Sequence, residues 1–214
     1  AGKIYNVGAT LRYRLHGEEQ VVEVTPDFIQ VKPMPRLTLD YFLPEQVYGD
    51  DPFTGAVEAP IPYSLGLRVL NSGCGPAGSV KMESAQPRTE VDGRLTAGSL
   101  LADFGTIGAG KVGMARWTMQ TTLMGKFTAF DAEISHSDEL GGRLTSLIQA
   151  VRTHTLVRDV WVDLPGRDGI RDFLGRDGAG LKVCESDAVE TAVTNRTGQA
   201  TLTLVQGGAG DHLY

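Results

Sequence analysis

The fold is indicated most clearly by residues 63–78, which read YSLGLRVLNSGCGPAG. Apolar residues recur at every second position of the first half, and this period of two is typical of a strand with one buried face. The second half is rich in glycine, which supplies the positive φ that a tight reversal requires. We therefore predict a strand at residues 63–70, a turn, and a returning strand at residues 79–83.

Similar patterns lie on both sides of this segment. Residues 37–43 read LTLDYFL and are followed by Pro44. Further strands are predicted at residues 99–104, 112–119 and 126–134, with glycine-containing turns between them. Six or seven short strands in about a hundred residues are typical of a two-sheet sandwich. We expect residues 37–140 to form an immunoglobulin-like β-sandwich.

The N-terminal segment has its own alternating pattern. Strands are predicted at residues 10–15, 20–24 and 27–31, with a turn at His16-Gly17. The segment ends at Lys32-Pro33-Met34-Pro35, where two prolines favour a short, stiff connector. Residues 1–36 are therefore predicted to form a β-hairpin extension and a Pro-rich connector.

The C-terminal segment, residues 141–214, is predicted to be a smaller α+β or all-β appendix. Apolar residues at 144, 147, 148 and 151 are spaced by three and four, which predicts one short helix over residues 143–152. Strands are predicted at residues 156–163, 181–184, 189–193 and 200–205. The predicted fold class is thus mainly β, with one short helix.

Composition and charge exclude several function classes. The chain has 214 residues, 27 of them Gly and 10 Pro, and a net charge of -6 without a block of like charges. No apolar run approaches the roughly 20 residues that span a bilayer, so membrane insertion is not expected. The dispersed arginines, Arg68 among them, are interpreted as solvated or paired with carboxylates, so nucleic acid is not expected as a partner. The chain begins Ala1-Gly2-Lys3 rather than with Met, which leads us to expect a fragment of a longer protein.

Two motifs carry a family resemblance. Residues 64–73 read SLGLRVLNSG, and residues 104–110 read FGTIGAG and are followed by Arg116-Trp117. In this pairing the chain resembles the bacterial immunoglobulin-like, cell-adhesion-related (CARDB-like) β-sandwich modules of large multi-domain surface or secreted proteins, over residues 37–135. The resemblance implies a secreted or cell-surface module that acts as a spacer, an adhesion surface or an accessory domain. It implies little chemistry, because one scaffold hosts many functions.

Catalytic motifs are weak in this sequence. The segment Gly105-Thr106-Ile107-Gly108-Ala109-Gly110-Lys111 lacks the spacing of a phosphate loop and precedes a strand, so its glycines are interpreted as turn residues. The sequence has no Gly-x-Ser-x-Gly elbow, and its four histidines are dispersed. A hydrolase with a dispersed site, such as Cys184 with His154, is the third hypothesis. No cofactor is predicted.

Metal binding has two candidate segments. His136, Asp138 and Glu139 lie within four residues but lack further ligands at useful spacing, which favours a polar turn. The carboxylates of Asp163, Asp168 and Asp172 flank a turn and suit calcium better, although nearby arginines would pair with them. The sequence leaves the calcium question open, and no metal ligand is assigned.

Aromatic residues and cysteines raise three further questions. Trp117 and Trp161 lie in alternating strands and are predicted to be core residues, whereas Tyr48 and Phe53 lie in a polar loop and are better candidates for stacking on a sugar. Residues 195–197, Asn-Arg-Thr, fit the glycosylation pattern. Cys74 and Cys184 form either one disulfide or two separate thiols.

We therefore expect a non-catalytic structural, adhesive or protein-interaction module of a larger bacterial extracellular protein. Its partners would be a protein or a glycan and the neighbouring domains of the same polypeptide. The alternative is a carbohydrate-binding accessory domain.

Overall fold

In a computed structural model of the chain, the described residues are 2–84, 88–89, 93–97, 99–129, 132–137, 148–161, 165, 168–194 and 196. All regular secondary structure in these residues is β-strand, so the protein is mainly β, as predicted. These residues contain no helix that is long and apolar enough to cross a bilayer.

The first four strands form a two-stranded ribbon. They are β1 (Lys3–Val7), β2 (Thr10–Leu15), β3 (Glu18–Glu23) and β4 (Asp27–Val31). β1 pairs antiparallel with β4, and the hairpin β2–β3 continues the ribbon beyond them. His16 and Gly17 form the predicted turn with φ values of 52° and 87°, a reversal that matches the right-handed twist of the strands. We call residues 3–31 the ribbon and the rest of the described chain the body.

Thirteen further strands are described in the body. They are β5 (Leu37–Leu43), β6 (Tyr63–Asn71), β7 (Ala77–Ser84), β8 (Arg88–Thr89), β9 (Gly93–Ala97), β10 (Leu101–Ile107), β11 (Val112–Thr121), β12 (Phe127–Ala129), β13 (Ala132–Ser137), β14 (Ile148–Val160), β15 (Asp172–Asp177), β16 (Gly180–Cys184) and β17 (Glu190–Val193). Eight of them form one sheet in the order β17-β16-β15-β14-β5-β6-β11-β9, and β10-β7-β13 form a second. β8 pairs with β12. The pairing of β5 with β14 is parallel, and the other described pairs are antiparallel.

The main core lies between these two sheets. Alternate side chains of the large sheet face apolar side chains of β7 and β10, and they pack into one buried cluster. Its members include Leu37, Leu39, Tyr41, Leu65, Leu67, Val69, Trp117, Met119, Val80, Met82 and Ile107. The Trp117 indole N–H donates to the carbonyl oxygen of Leu100 at 3.1 Å, so the prediction that Trp117 is a core residue is confirmed. This two-layer packing is that of a β-sandwich.

The large sheet buries part of its second face as well. Phe42 of β5, Phe173 of β15 and Cys184 of β16 form a second buried cluster. The rings of Phe42 and Phe173 stack with centroids 4.8 Å apart. Gly66 of β6 lies directly under Phe173, because a Cβ atom at that position would be 2.6 Å from the ring. The β15–β17 end of the sheet therefore curls back over β5 and β6.

The predicted helix at residues 143–152 is wrong where the structure describes it, and residues 143–147 lie outside the described chain. Ile148 to Arg152 begin β14, which pairs in parallel with β5, and Val151 is 58% exposed. Pairing with a buried central strand provides hydrogen-bond partners for the backbone N–H and C=O groups of this segment. This tertiary pairing outweighs the helical preference indicated by a few apolar residues spaced by three and four.

Most predicted strands are confirmed. The strands of the ribbon and those predicted at residues 37–43, 63–70, 79–83, 112–119, 181–184 and 189–193 are all present. Strands also cover residues 101–104 and 156–160 of the predictions at 99–104 and 156–163. The strand predicted at residues 200–205 lies outside the described residues. The three-part division of the chain stays a prediction, and one sheet includes both β5 and the C-terminal strands β14 to β17.

Candidate functional site

The ribbon exposes large apolar side chains along its whole length. Between Lys3 and Val31, these exposed residues are Ile4, Tyr5, Val7, Leu11, Tyr13, Leu15, Val21, Val22, Val24, Phe28, Ile29 and Val31. A single exposed apolar residue is normal on a protein surface, but a contiguous apolar patch marks an interaction site. The ribbon is therefore the strongest candidate for an interaction surface in the described chain.

The outer hairpin of the ribbon has two different faces. On one side of the hairpin, cross-strand pairing places Leu11 opposite Val22, Tyr13 opposite Gln20 and Leu15 opposite Glu18. We call the four apolar residues of this side, Leu11, Tyr13, Leu15 and Val22, the apolar face. The opposite side, the charged face, presents Arg12 and Arg14 from β2 and Glu19 and Glu23 from β3, with the exposed Val21 between the two glutamates. Arg12 forms an exposed ion pair with Glu19 at 3.6 Å.

The connector at the base of the ribbon is fixed to the body. Arg36 donates its backbone N–H to Asn71 Oδ1 at 3.1 Å and accepts a hydrogen bond from the backbone N–H of Ser72 at 2.8 Å. Gly75 donates to the carbonyl of Met34 at 3.2 Å. Gly75 lies against the connector so closely that a Cβ atom there would overlap the backbone of Pro33. The ribbon therefore extends from a connector that is held against the body.

Asn71 holds three parts of the body together. Its side chain is buried, and its Nδ2 donates to the carbonyl oxygens of Gly75, Ile107 and Gly108 at 2.8, 3.0 and 3.2 Å. Its Oδ1 accepts from Arg36 and Gly73. The two sequence motifs at residues 64–73 and 104–110 therefore meet in space at this amide.

A buried charge cluster lies on the second face of the large sheet. Asp40 of β5 and Arg68 of β6 are fully buried register partners, with Arg68 Nη1 3.4 Å from Asp40 Oδ2. Arg68 Nη1 also lies 3.0 Å from Glu190 Oε1 on β17, and its Nε donates to the carbonyl of Glu185. Arg68 thus ties β5 and β6 to the end of the curled sheet. The sequence interpretation of Arg68 as paired with carboxylates is confirmed.

β14 adds two further partners to Asp40. Arg152 Nε lies 2.7 Å from Asp40 Oδ1, and the ring Nε2 of His154 is 3.1 Å from the same oxygen. Burial alone would raise the pKa of Asp40, but the hydrogen bond with His154 and the charges of Arg152 and Arg68 outweigh it and hold the pKa below its usual value. Asp40 is therefore a buried carboxylate held in its ionised form.

Cys184 and His154, the example pair of the hydrolase hypothesis, make the contacts of structural core residues. Both lie on this second face, but His154 binds Asp40 and stacks on Phe42 at 5.1 Å between centroids. Cys184 packs with Phe42 and Phe173, and burial raises the pKa of its thiol to about 11. The thiolate required of a nucleophile is therefore strongly disfavoured at neutral pH.

The loop between β5 and β6 exposes the two aromatic residues predicted for sugar stacking. Phe53 is 96% exposed and Tyr48 is also exposed, as predicted. Asp51 Oδ1 accepts the backbone N–H of Phe53, and Tyr48 accepts a backbone hydrogen bond from Ile61.

The prediction that Trp161 is a core residue is wrong. Trp161 is 55% exposed, and the Arg171 guanidinium lies 5.4 Å from its ring centroid. The residue follows the end of β14, where the alternating pattern no longer implies a covered face.

Candidate metal-binding carboxylates in the described chain bind protein groups. Asp168 Oδ2 accepts from Ser186 Oγ at 2.8 Å, and Asp172 Oδ1 accepts from the backbone N–H of Ser186 at 2.9 Å. His136 is buried in β13. Asp138, Glu139 and Asp163 lie outside the described residues, and a search of the remainder finds no group of three metal-ligating side chains.

The cysteines form two separate thiols. Cys74 is exposed in the turn after β6, and Cys184 is buried in β16. Of the glycosylation pattern at residues 195–197, positions 195 and 197 lie outside the described residues.

The buried charge cluster was not predicted as a unit. Its signal in the sequence is a charged residue at an alternate position of an apolar strand, as in LTLDYFL for Asp40 and LGLRVL for Arg68. A charged residue at such a position is normally expected to face solvent. It predicts a second buried face of the sheet only when a residue of opposite charge is recognised as its partner.

No known protein-family model matches the chain, and no curated protein or solved structure matches it. What the chain does is therefore inferred from its own contacts.

Proposed function

We propose that the protein is a non-catalytic structural or protein-interaction module, and that the ribbon is the element with which it binds another protein surface. The observation that carries this proposal is the row of exposed apolar side chains between Ile4 and Val31. In the same proposal the β-sandwich is an immunoglobulin-like module of a larger bacterial extracellular protein, as its resemblance to cell-adhesion modules implies.

The physical basis is that an isolated two-stranded ribbon is marginally stable in water and gains stability from a covered apolar face. On the outer hairpin, Leu11, Tyr13 and Leu15 form one continuous stripe, and burying such side chains against a partner contributes roughly 25 cal/mol per Å² of apolar surface. A binding ribbon on a sandwich also agrees with how loops and extensions carry function on a rigid scaffold.

The body supports this role by holding the ribbon in place. The Asn71 side chain accepts the backbone N–H of Arg36 at the base of the ribbon and donates to the carbonyl oxygen of Ile107 at the end of β10. The charge cluster around Asp40 and Arg68 connects the curled end of the large sheet to its centre. Burial raises the pKa of the Cys184 thiol to about 11, which disfavours Cys184 as the nucleophile of the hydrolase hypothesis.

Photo-cross-linking tests the proposal. A benzophenone amino acid replaces Tyr13 on the apolar face, and a matched variant carries it at Phe53, an exposed aromatic residue of the body. In the cells that make the full chain, we expect irradiation to join position 13 to a protein, either another copy or a different one, in much higher yield than position 53. A lack of cross-links at position 13, or equal yields at both positions, would contradict the proposal.

A carbohydrate-binding module is the second candidate, because Phe53 is 96% exposed and Tyr48 is exposed in the same loop. Exposed aromatic rings stack on the apolar faces of sugars. Binding on a glycan array that is lost with Tyr48→Ala or Phe53→Ala, and kept with Tyr13→Ala, would favour this candidate over the ribbon.

A further inference from the structure

The two strands of the outer hairpin carry opposite charges on one face. β2 presents Arg12 and Arg14, and β3 presents Glu19 and Glu23. Both strands are also edges of a two-stranded ribbon, so each has a row of outward N–H and C=O groups that its hairpin partner does not use. An edge of this kind can pair with a strand of another chain.

The charges distinguish the possible edge pairings between two hairpins. Pairing β2 with β2 of another copy would place arginines beside arginines, and pairing β3 with β3 would place glutamates beside glutamates. Like charges directly opposite each other on neighbouring strands are destabilising. Pairing β2 of one copy with β3 of the next places each arginine row beside a glutamate row, which is favourable.

We propose that the ribbon is covered by further copies of this chain, with β2 of one copy pairing antiparallel with β3 of the next. This inference rests on the proposed function and names the partner. The pairing is head-to-tail, because two different edges meet, and an open row of copies keeps one free edge at each end until a ring closes. The assembly is therefore larger than a dimer.

The same pairing accounts for the apolar face. Neighbouring hairpins bring Leu11, Tyr13, Leu15 and Val22 of each copy onto one side of a continuous sheet, and closure turns that side towards a common axis. Gln20 and Glu18 share this side, and Glu18 lies beside the His16-Gly17 turn, at the open end of the ring. About eight strands, which is four hairpins, enclose an interior that side chains can fill. The Arg and Glu rows then alternate around the outside.

The exposed apolar side chains of the ribbon lie on both of its faces. They are 42–69% exposed, but Val21 lies on the charged face of the outer hairpin, and Tyr5 and Phe28 lie on opposite faces of the β1–β4 part. A ring closed on the apolar face therefore covers part of these side chains. The remainder is available to a continuation of the pairing through β1 and β4.

Sedimentation velocity of the purified full chain, over a range of concentrations, tests the inference with charge reversals. An acidic variant carries Arg12→Glu with Arg14→Glu, and a basic variant carries Glu19→Arg with Glu23→Arg. We expect the unaltered chain to form a species larger than a dimer and each variant alone to lose at least tenfold in association. We expect the two variants mixed, and a chain with all four reversals, to associate again because the opposite rows are restored.

A matched control carries Lys111→Glu with Arg158→Glu, two exposed body residues, and should associate like the unaltered chain. Far-UV circular dichroism checks that each variant is folded, and the fourfold reversal also restores the pairing within the hairpin. A monomer at every concentration, a species that stops at a dimer, or association indifferent to the reversals would overturn the inference. A monomer whose position 13 cross-links to a different protein would overturn this inference and leave the proposed function standing, whereas a monomer without any cross-link would overturn both.

Discussion

At the scale of single residues, the charged side chains of the body have a structural role. Asp40 and Arg68 occupy alternate positions of two neighbouring strands, and both are fully buried. Removing one member of a buried ion pair is costly, because the other charge stays in a medium of low polarity. Arg152 and Glu190 reach the cluster from β14 and β17, so the cost extends to the packing of the curled sheet.

Asp40→Asn is predicted to lower the free energy of unfolding by about 3 kcal/mol, because Arg68 keeps its buried charge and loses a carboxylate. Urea unfolding of the two proteins at pH 7 measures the difference. Asp177→Asn, at an exposed position, serves as the control and should change the value by less than about 0.5 kcal/mol. A loss at Asp40 as small as that of the control would contradict the role assigned to the cluster.

The pH dependence of this difference follows from the lowered pKa of Asp40. A carboxyl whose pKa is lower in the folded state than its ordinary value of 3.8 stabilises the fold above that value, and the contribution is lost as the pH falls through the folded pKa. The gap in unfolding free energy between the unaltered chain and Asp40→Asn should therefore narrow when the measurement moves from about pH 5 to about pH 2.5. A gap of constant size would show that the ionised form of Asp40 is not what stabilises the protein.

Single residues also show where the sequence was sufficient and where it was not. Trp117 and Trp161 lie in similar alternating patterns, yet one is buried and the other is 55% exposed. Alternation assigns side chains to two faces but does not say which face is covered at the end of a strand. Only the position of Trp161 after β14, beyond the covered part of the sheet, decides its exposure.

At the scale of elements, the return of β15 to β17 over β5 and β6 is the feature that no local pattern indicates. It requires a small residue where the two layers touch, and Gly66 provides it beneath Phe173. β14 is misread from sequence for a related reason. Its pairing with β5 joins residues more than a hundred positions apart, so a local window around residue 148 cannot detect it.

Gly66→Ala is predicted to lower the free energy of unfolding by about 2 kcal/mol, because the new Cβ atom would overlap the Phe173 ring. Adding Phe173→Leu should recover part of the loss, and chemical denaturation of the four proteins gives the coupling. Gly108→Ala is the control, since a Cβ atom there meets its nearest neighbour at an ordinary 3.5 Å. Additive effects of Gly66→Ala and Phe173→Leu would contradict the curled arrangement.

The ribbon shows the opposite case, an element that the sequence predicts well. The alternation of β2 and the His16-Gly17 turn specify the hairpin β2–β3 locally, and its register follows from a two-residue turn. What alternation could not reveal is that the apolar side of this hairpin lies uncovered. Strand patterns imply a buried face, and the exposure of Leu11 and Tyr13 in the isolated chain is what identifies a surface for a partner.

At the scale of the whole molecule, the ribbon and the body have separate sources of stability. Removing residues 1–31 is predicted to change the free energy of unfolding of the body by less than about 0.5 kcal/mol, because the side chains removed are almost all exposed and the seated connector at Pro35 and Arg36 remains. Thermal and urea unfolding of the shortened chain, beside the full one at low concentration, makes this measurement. A body that no longer folds, or that unfolds at clearly lower urea, would show that the ribbon is part of the core.

The sequence alone predicts the mainly β class, the sandwich layer and most strand positions, because these depend on alternation and turn residues within short windows. It does not predict the parallel contact of β5 with β14 or the convergence on Asp40, because both depend on pairing between distant segments. The candidate interaction surface could be predicted in part. The alternating pattern predicts its strands and their apolar residues, but only the fold shows that these residues are exposed.

Hydroxyl-radical footprinting tests the central claim, that the apolar face of the ribbon is covered by protein when the module functions. Oxidation is compared at Tyr13 and at Phe53, which are 42% and 96% exposed in the single chain, before and after assembly with further copies or with the partner found by cross-linking. Tyr13 is predicted to become protected, and Phe53 is predicted to stay as reactive as before. Unchanged oxidation at Tyr13, with protection appearing at Phe53 instead, would contradict it.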